Sequence, residues 1–166
     1  MAVERTLVPA WVSRTWSGGS PPLMWIREAN SQSFKIGQFV YQVDGYATVV
    51  ATDGVVILGM ALADATNVTS GHIMIPVIVA CDDVIYGGNI YHATKASAVV
   101  TQVSVGTKYG LYVGDNKVHV DIADTTNDAV VIVDRHWEDK GDDTIIYPRV
   151  EFSVIPAAQQ FGAAGD

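Results

Sequence analysis

The side chains able to do chemistry are few and scattered. Four histidines, His72, His92, His119 and His136, are dispersed with no short ligand spacing between them, so they read as surface or loop residues rather than metal ligands. The single cysteine, Cys81, ends the apolar run Ile78-Val79-Ala80-Cys81 and reads as a buried, inert thiol. One cysteine excludes an intramolecular disulfide and any zinc site built on cysteines. Asp115, Asp121, Asp124 and Asp128 share one stretch but lack the tight, glycine-centred spacing that gathers oxygen ligands around Ca²⁺, so they read as solvated turn acids. Asp82 and Asp83 are adjacent, and adjacent side chains on a strand point to opposite faces. They therefore read as a turn and not as an acid/base pair. No nucleophile elbow, phosphate-cradling glycine loop, dinucleotide fingerprint or H-E-x-x-H pair is present. The sequence predicts no catalytic residue, no metal and no cofactor; an enzyme on a jelly-roll scaffold is not expected.

The residues that stand out are tryptophans. Trp11, Trp16 and Trp25 are three of the four in the chain, and all lie within residues 1–30. Between them is the breaker cluster Ser17-Gly18-Gly19-Ser20-Pro21-Pro22, and no period of 2 or 3.6 is sustained. Residues 1–30 read as an extended N-terminal arm with a flexible joint at 17–22, separable from the rest. Ordering backbone costs about 1–2 kcal/mol per residue, more over such a length than three buried indoles return. The arm needs strand pairing or further apolar contact, with its own domain or with another chain. Leu7, Trp11, Trp16 and Trp25 are the expected partner-binding residues, and strand addition at an open sheet edge is one route.

The elements that must carry this arm are strands. Val and Ile number 38 against 5 Leu, with 12 Thr besides. Such β-branched side chains lose rotamer freedom in helices and pack well on sheets. Asp44-Gly45 between Phe39-Val40-Tyr41-Gln42-Val43 and Tyr46-Ala47-Thr48-Val49-Val50 predicts a two-residue hairpin. Residues 109–113 pair with 117–122 across Gly114-Asp115-Asn116, and alternation places Lys117, His119 and Asp121 on water and Val118, Val120 and Ile122 in the core. Residues 56–63 fit a strand or a short helix. Residues 129–133 read as a buried strand, 135–143 as a charged loop and 149–154 as a closing strand. The spacing predicts an all-β domain over 31–156, a small barrel or sandwich, with a frayed tail at 157–166. No internal repeat stands out.

Charge and hydropathy exclude two partner classes. The net charge is −8, and the 10 Lys and Arg form no run that would neutralise phosphates, so no nucleic-acid partner is expected. The apolar stretches at 55–63 and 73–81 are about half of the ~20 residues a membrane helix needs. Residues 1–14 lack the apolar core of a secretory signal, so no membrane partner and no secretion are expected, and Asn67-Val68-Thr69 is given no weight as a glycosylation acceptor.

Four segments together resemble a known family. Phe34-Lys35-Ile36-Gly37-Gln38-Phe39-Val40, Asp44-Gly45, Ile57-Leu58-Gly59-Met60-Ala61 and Val105-Gly106-Thr107-Lys108-Tyr109-Gly110-Leu111 resemble the small capsid decoration (cement) proteins of tailed bacteriophages, over roughly residues 30–155. The resemblance implies a β-tulip-like barrel domain with an N-terminal arm. It implies a place on the outer surface of the virion capsid, bound to the major capsid protein. It further implies a homo-oligomer, commonly a trimer, that braces the shell, and no catalytic residue carries over. The arm here is longer and richer in tryptophan than the motif requires, and would clasp a sister subunit or the capsid protein. The alternative is a carbohydrate-binding β module of a tail or fibre, with Tyr86, Tyr91, Tyr109, Tyr112 and Trp137 as its aromatic platform.

Overall fold

The computed structural model describes residues 3–68 and 73–161; His72 and Thr69 lie outside the described residues. The β-branched composition gives the expected all-β fold. The first barrel is closed in the order β2-β4-β3-β5-β6, from β2 (Leu23–Glu28), β3 (Phe39–Val43), β4 (Tyr46–Val49), β5 (Gly59–Ala61) and β6 (Met74–Val79). The second follows the order β7-β11-β10-β8-β9 and is closed by a β7–β9 pairing, from β7 (Val84–Tyr91), β8 (Lys108–Gly114), β9 (Lys117–Asp121), β10 (Val130–Arg135) and β11 (Arg149–Val154). One further strand, β1 (Trp11–Thr15), lies antiparallel along β7. Residues 56–63, open between helix and strand in the sequence, supply β5.

The two barrels repeat one connectivity. In each, the first strand pairs parallel with the third and antiparallel with the fifth, and the other three neighbours are antiparallel. The correspondence reaches single hydrogen bonds. Gly37 N–H donates to Ala61 O at 2.9 Å and Gly106 N–H to Ile132 O at 2.8 Å. Ala61 N–H returns to Gln38 O, and Ile132 N–H to Thr107 O. Ala80 N–H reaches Leu58 O where Ile155 N–H reaches Ala129 O. Both glycines sit in the left-handed region, at φ 87 and 85, and in each barrel the hairpin of the second and third strands turns on two left-handed residues, Asp44-Gly45 and Asp115-Asn116. The repeat is absent from side-chain patterning because the bonds it conserves are backbone bonds.

Alternation divides the cores. Val40 points into the first barrel with Ile26, Phe34, Leu58, Ile75 and Val77. Its neighbour Phe39 points outward, into a second apolar cluster filled by β7–β11. There the Phe39 ring meets Tyr86 edge-on at 5.0 Å and Phe152 at 6.2 Å, so one aromatic group ties both barrels together. Tyr86 is wholly buried, and burial pushes its phenol far above the ordinary value. Its hydroxyl donates to Ile78 O at the end of β6.

Of the expected arm 1–30, residues 3–30 are described, and they do not stand off as an extended arm. β1 belongs to the second barrel's sheet and β2 is a stave of the first barrel. The joint at 17–22 is tied down as well: Ser17 donates from N–H and hydroxyl to Asp83, and the Thr15 hydroxyl bonds Gly19 O. Upstream, Arg5 pairs with Asp139, whose side chain is fully buried, and Val8 N–H donates to the Asn89 side chain. Asp139 also accepts from Arg149 N–H, while buried Arg135 bonds Asp139 O, Asp142 O and Asp143. The segment 135–143 is the expected charged loop, with Arg135 and Asp139 buried beneath it in an ion-pair and hydrogen-bond network. The tail is anchored up to Gln160: Gln159 is buried and donates to Asp82 and Val154 O, and Gln160 bonds both backbone groups of Gln42.

Removing Arg5 strands a buried carboxylate. Arg5→Ala should cost about 2–3 kcal/mol in urea unfolding. An alanine at Gly37 places its Cβ 2.6 Å from Ala10 O at a left-handed φ, whereas one at Gly45 meets open space. Gly37→Ala should cost about 2–4 kcal/mol and Gly45→Ala only about 1, by the same measurement.

Candidate docking surface

The outer wall of the first barrel is apolar where water should favour polar groups. On β2 the odd residues Leu23, Trp25 and Arg27 face out and the even ones face in. Across the antiparallel register they stand opposite Ile78, Pro76 and Met74 of β6. Leu23 is 53% exposed, Trp25 58% and Met74 45%. This wall explains why β2 is hard to see in the sequence: its outer face is as apolar as its inner one, and its last inward residue is a charge. Glu28 is completely buried, accepting from the N–H and hydroxyl of Thr66.

The four expected partner-binding residues are not brought together. Leu7 is half-buried and lines an open groove of about 430 Å³ with Glu4, Arg5, Thr6, Lys117 and Tyr147. Trp11 is half-buried on the second barrel, its ring lying across Gly87 and edge-on to His136 at 6.0 Å. Trp16 is 57% exposed, under the Arg14 guanidinium at 4.9 Å. Only Trp25 belongs to the apolar wall, together with Leu23 and Met74, which the sequence reading did not single out. Their signal is the apolar residue at alternate positions of a strand that also has apolar residues between them.

The remaining aromatic and titratable groups are dispersed. Tyr86 and Tyr109 are core residues, Tyr91 and Tyr112 stack face to face at 3.6 Å, and exposed Trp137 lies beside His136. The half-buried Cys81 is less enclosed than its apolar run implies. Asp83 is held below the usual carboxylate range by the Ser17 hydroxyl and N–H. Asp124 caps its own turn through Thr126 and Asn127 N–H, and with Asp121 it faces Asp53 of the first barrel. Partial desolvation and those neighbouring carboxylates raise the Asp53 carboxyl. Among the described residues, no three His, Cys, Asp or Glu side chains are placed to hold a metal ion. No helix among them is long and apolar enough to cross a membrane.

His119 departs from its expected place on water. It is 1% exposed, beneath the Tyr112 ring, and its Nδ1 has no partner among the described residues. Burial, reinforced by Lys117, lowers its pKa from 6.5 to about 4, with Asp115 opposing. No protein-family model, no curated protein and no solved structure matches the chain.

Between these two values the unfolded chain binds a proton at His119 that the native chain refuses. The stabilisation is complete above pH 6.5 and is lost as pH falls through about 4. His119→Phe should flatten this part of the profile, removing about 2–3 kcal/mol of the difference between pH 7 and pH 4 in urea titrations.

Proposed function

We propose that the chain is a structural docking protein: a capsid decoration protein of the tailed-phage kind, bound to the major capsid protein on the outer surface of the virion. In this reading it acts as a homo-oligomer, a trimer, and braces the shell. The observation that carries docking is the apolar wall of Leu23 and Trp25 on β2 and Met74 on the adjoining β6, all exposed on a closed barrel. Tryptophan at the centre of such a patch is the residue type that most often anchors an interface. The capsid as partner is supported by the resemblance of residues 34–40, 44–45, 57–61 and 105–111. These segments hold the left-handed glycines Gly37 and Gly106, the first hairpin turn and β5, which shape the barrels behind the wall.

The barrels also fix how the reading is tested. Deleting residues 1–30 removes β1 and β2 and would damage the fold itself, so the test uses point changes. Trp25→Lys and Leu23→Asp place charges on exposed positions and should leave the unfolding midpoint within a few degrees. Each should weaken attachment to purified capsids at least about tenfold in co-sedimentation. Light scattering should give three times the chain mass for the wild type. Attachment unaffected by both substitutions would overturn the reading.

A further inference from the structure

The two barrels differ at one edge, and the difference defines a vacant slot. Each parallel seam is only two residue pairs long: Arg27 and Glu28 with Tyr46 and Ala47 in the first barrel, Ile90 and Tyr91 with Val120 and Asp121 in the second. The seam-side edge of the first strand is therefore unpaired before the seam begins. In the second barrel β1 fills that length, with Trp11 opposite Gly87, Val12 opposite Tyr86, Arg14 opposite Ile85 and Thr15 opposite Val84. The matched registers of the fifth strands make Met24 the counterpart of Tyr86 and Trp25 that of Gly87. Residues 22–25 of the first barrel thus correspond to residues 84–87, and no strand among the described residues pairs with them on the side away from β6.

The free groups follow from the ladder. Val79 N–H donates to Pro22 O and Glu28 N–H to Ile73 O, so the even residues of β2 spend their backbone bonds on β6. The N–H and C=O of Leu23 and Trp25 point the other way, and no hydrogen bond among the described residues reaches them. Native sheets commonly guard such an edge with charge. Here Pro21 and Pro22 end it on one side, the seam ends it on the other, and apolar Leu23 and Trp25 fill it.

We propose that this edge is a strand-acceptor site, taking an extended, uncharged segment of a partner polypeptide antiparallel to β2. The β1–β7 pairing supplies the direction and the length of four residues. It also supplies a size rule. In the second barrel the incoming strand carries a tryptophan and the edge offers glycine; a Cβ at Gly87 would lie 2.2 Å from the Trp11 ring. In the first barrel the edge itself carries the indole, at Trp25, so the incoming residue opposite it must be small. A slender segment fits beside the Asp44-Gly45 hairpin tip, which stands next to the start of the seam. Two whole barrels meeting edge to edge would have to clear that tip. The inference rests on reading this wall as a docking surface, and it separates from that reading because it concerns backbone groups rather than side chains.

The test uses the full chain and two synthetic peptides of residues 9–15 in which serine replaces the charged Arg14, one otherwise unsubstituted and one with alanine in place of Trp11. Hydrogen exchange is followed amide by amide. The alanine peptide should slow exchange at the Leu23 and Trp25 amides at least tenfold, with the peptide that keeps Trp11 at least tenfold weaker. Trp25→Gly, which recreates the Gly87 situation, should reverse that preference; Trp25→Ala is the fallback if it folds poorly. Absence of protection at both amides with either peptide would overturn the proposal. So would protection without peptide accompanied by a dimer in light scattering, which would make a second copy the occupant. Capsid attachment that buries Trp25 while leaving both amides in fast exchange would overturn strand addition and leave face docking standing.

Discussion

Every feature of this molecule depends on closing short sheets into rings. A strand edge exposes N–H and C=O groups that must find partners, and a barrel removes its edges only where the seam is long enough. Both seams here are parallel and two residue pairs long. The ring closes at one end and splays at the other. In the second barrel the chain's own N-terminal strand covers the splayed length; in the first, Leu23 and Trp25 are left uncovered.

That arrangement accounts for the course of the first thirty residues. Having served as an added strand on the second barrel, the chain crosses by residues 16–22 and becomes the seam strand of the first. Arg5 on buried Asp139 and Ser17 on Asp83 hold the two ends of this path. The aromatic contact of Phe39 with Tyr86 and Phe152 then sets the barrels against each other. A patch on such a rigid frame keeps its shape without a partner, which suits docking because little order remains to be created on binding.

The repeat rests on one short glycine turn used twice. Its early segment, Ile36-Gly37-Gln38, and its late one, Val105-Gly106-Thr107, occupy the same position in the two barrels, with the same turn and the same bond to the barrel's fourth strand. Glycine is required there because the backbone is left-handed, and at Gly37 also because Ala10 O lies close.

Composition and local pattern determined much of this. The excess of β-branched residues dictated strands, Asp44-Gly45 dictated its hairpin, and the alternation of residues 149–154 dictated β11, because each is a property of neighbours along the chain. Trp25 was legible as an unusual residue. Its place beside Leu23 and Met74 was not, since Met74 is brought there by pairing across almost fifty positions. His119 alternates with core residues as a surface residue should, yet Tyr112 covers it, and nothing in the charged run 135–143 marks Asp139 as the buried residue that Arg5 reaches from the other end of the chain. The doubling of the barrel, the fate of the N-terminal strands and the open edge of β2 were decided by tertiary structure alone, because long-range backbone hydrogen bonds leave almost no mark on which side chains a sequence uses.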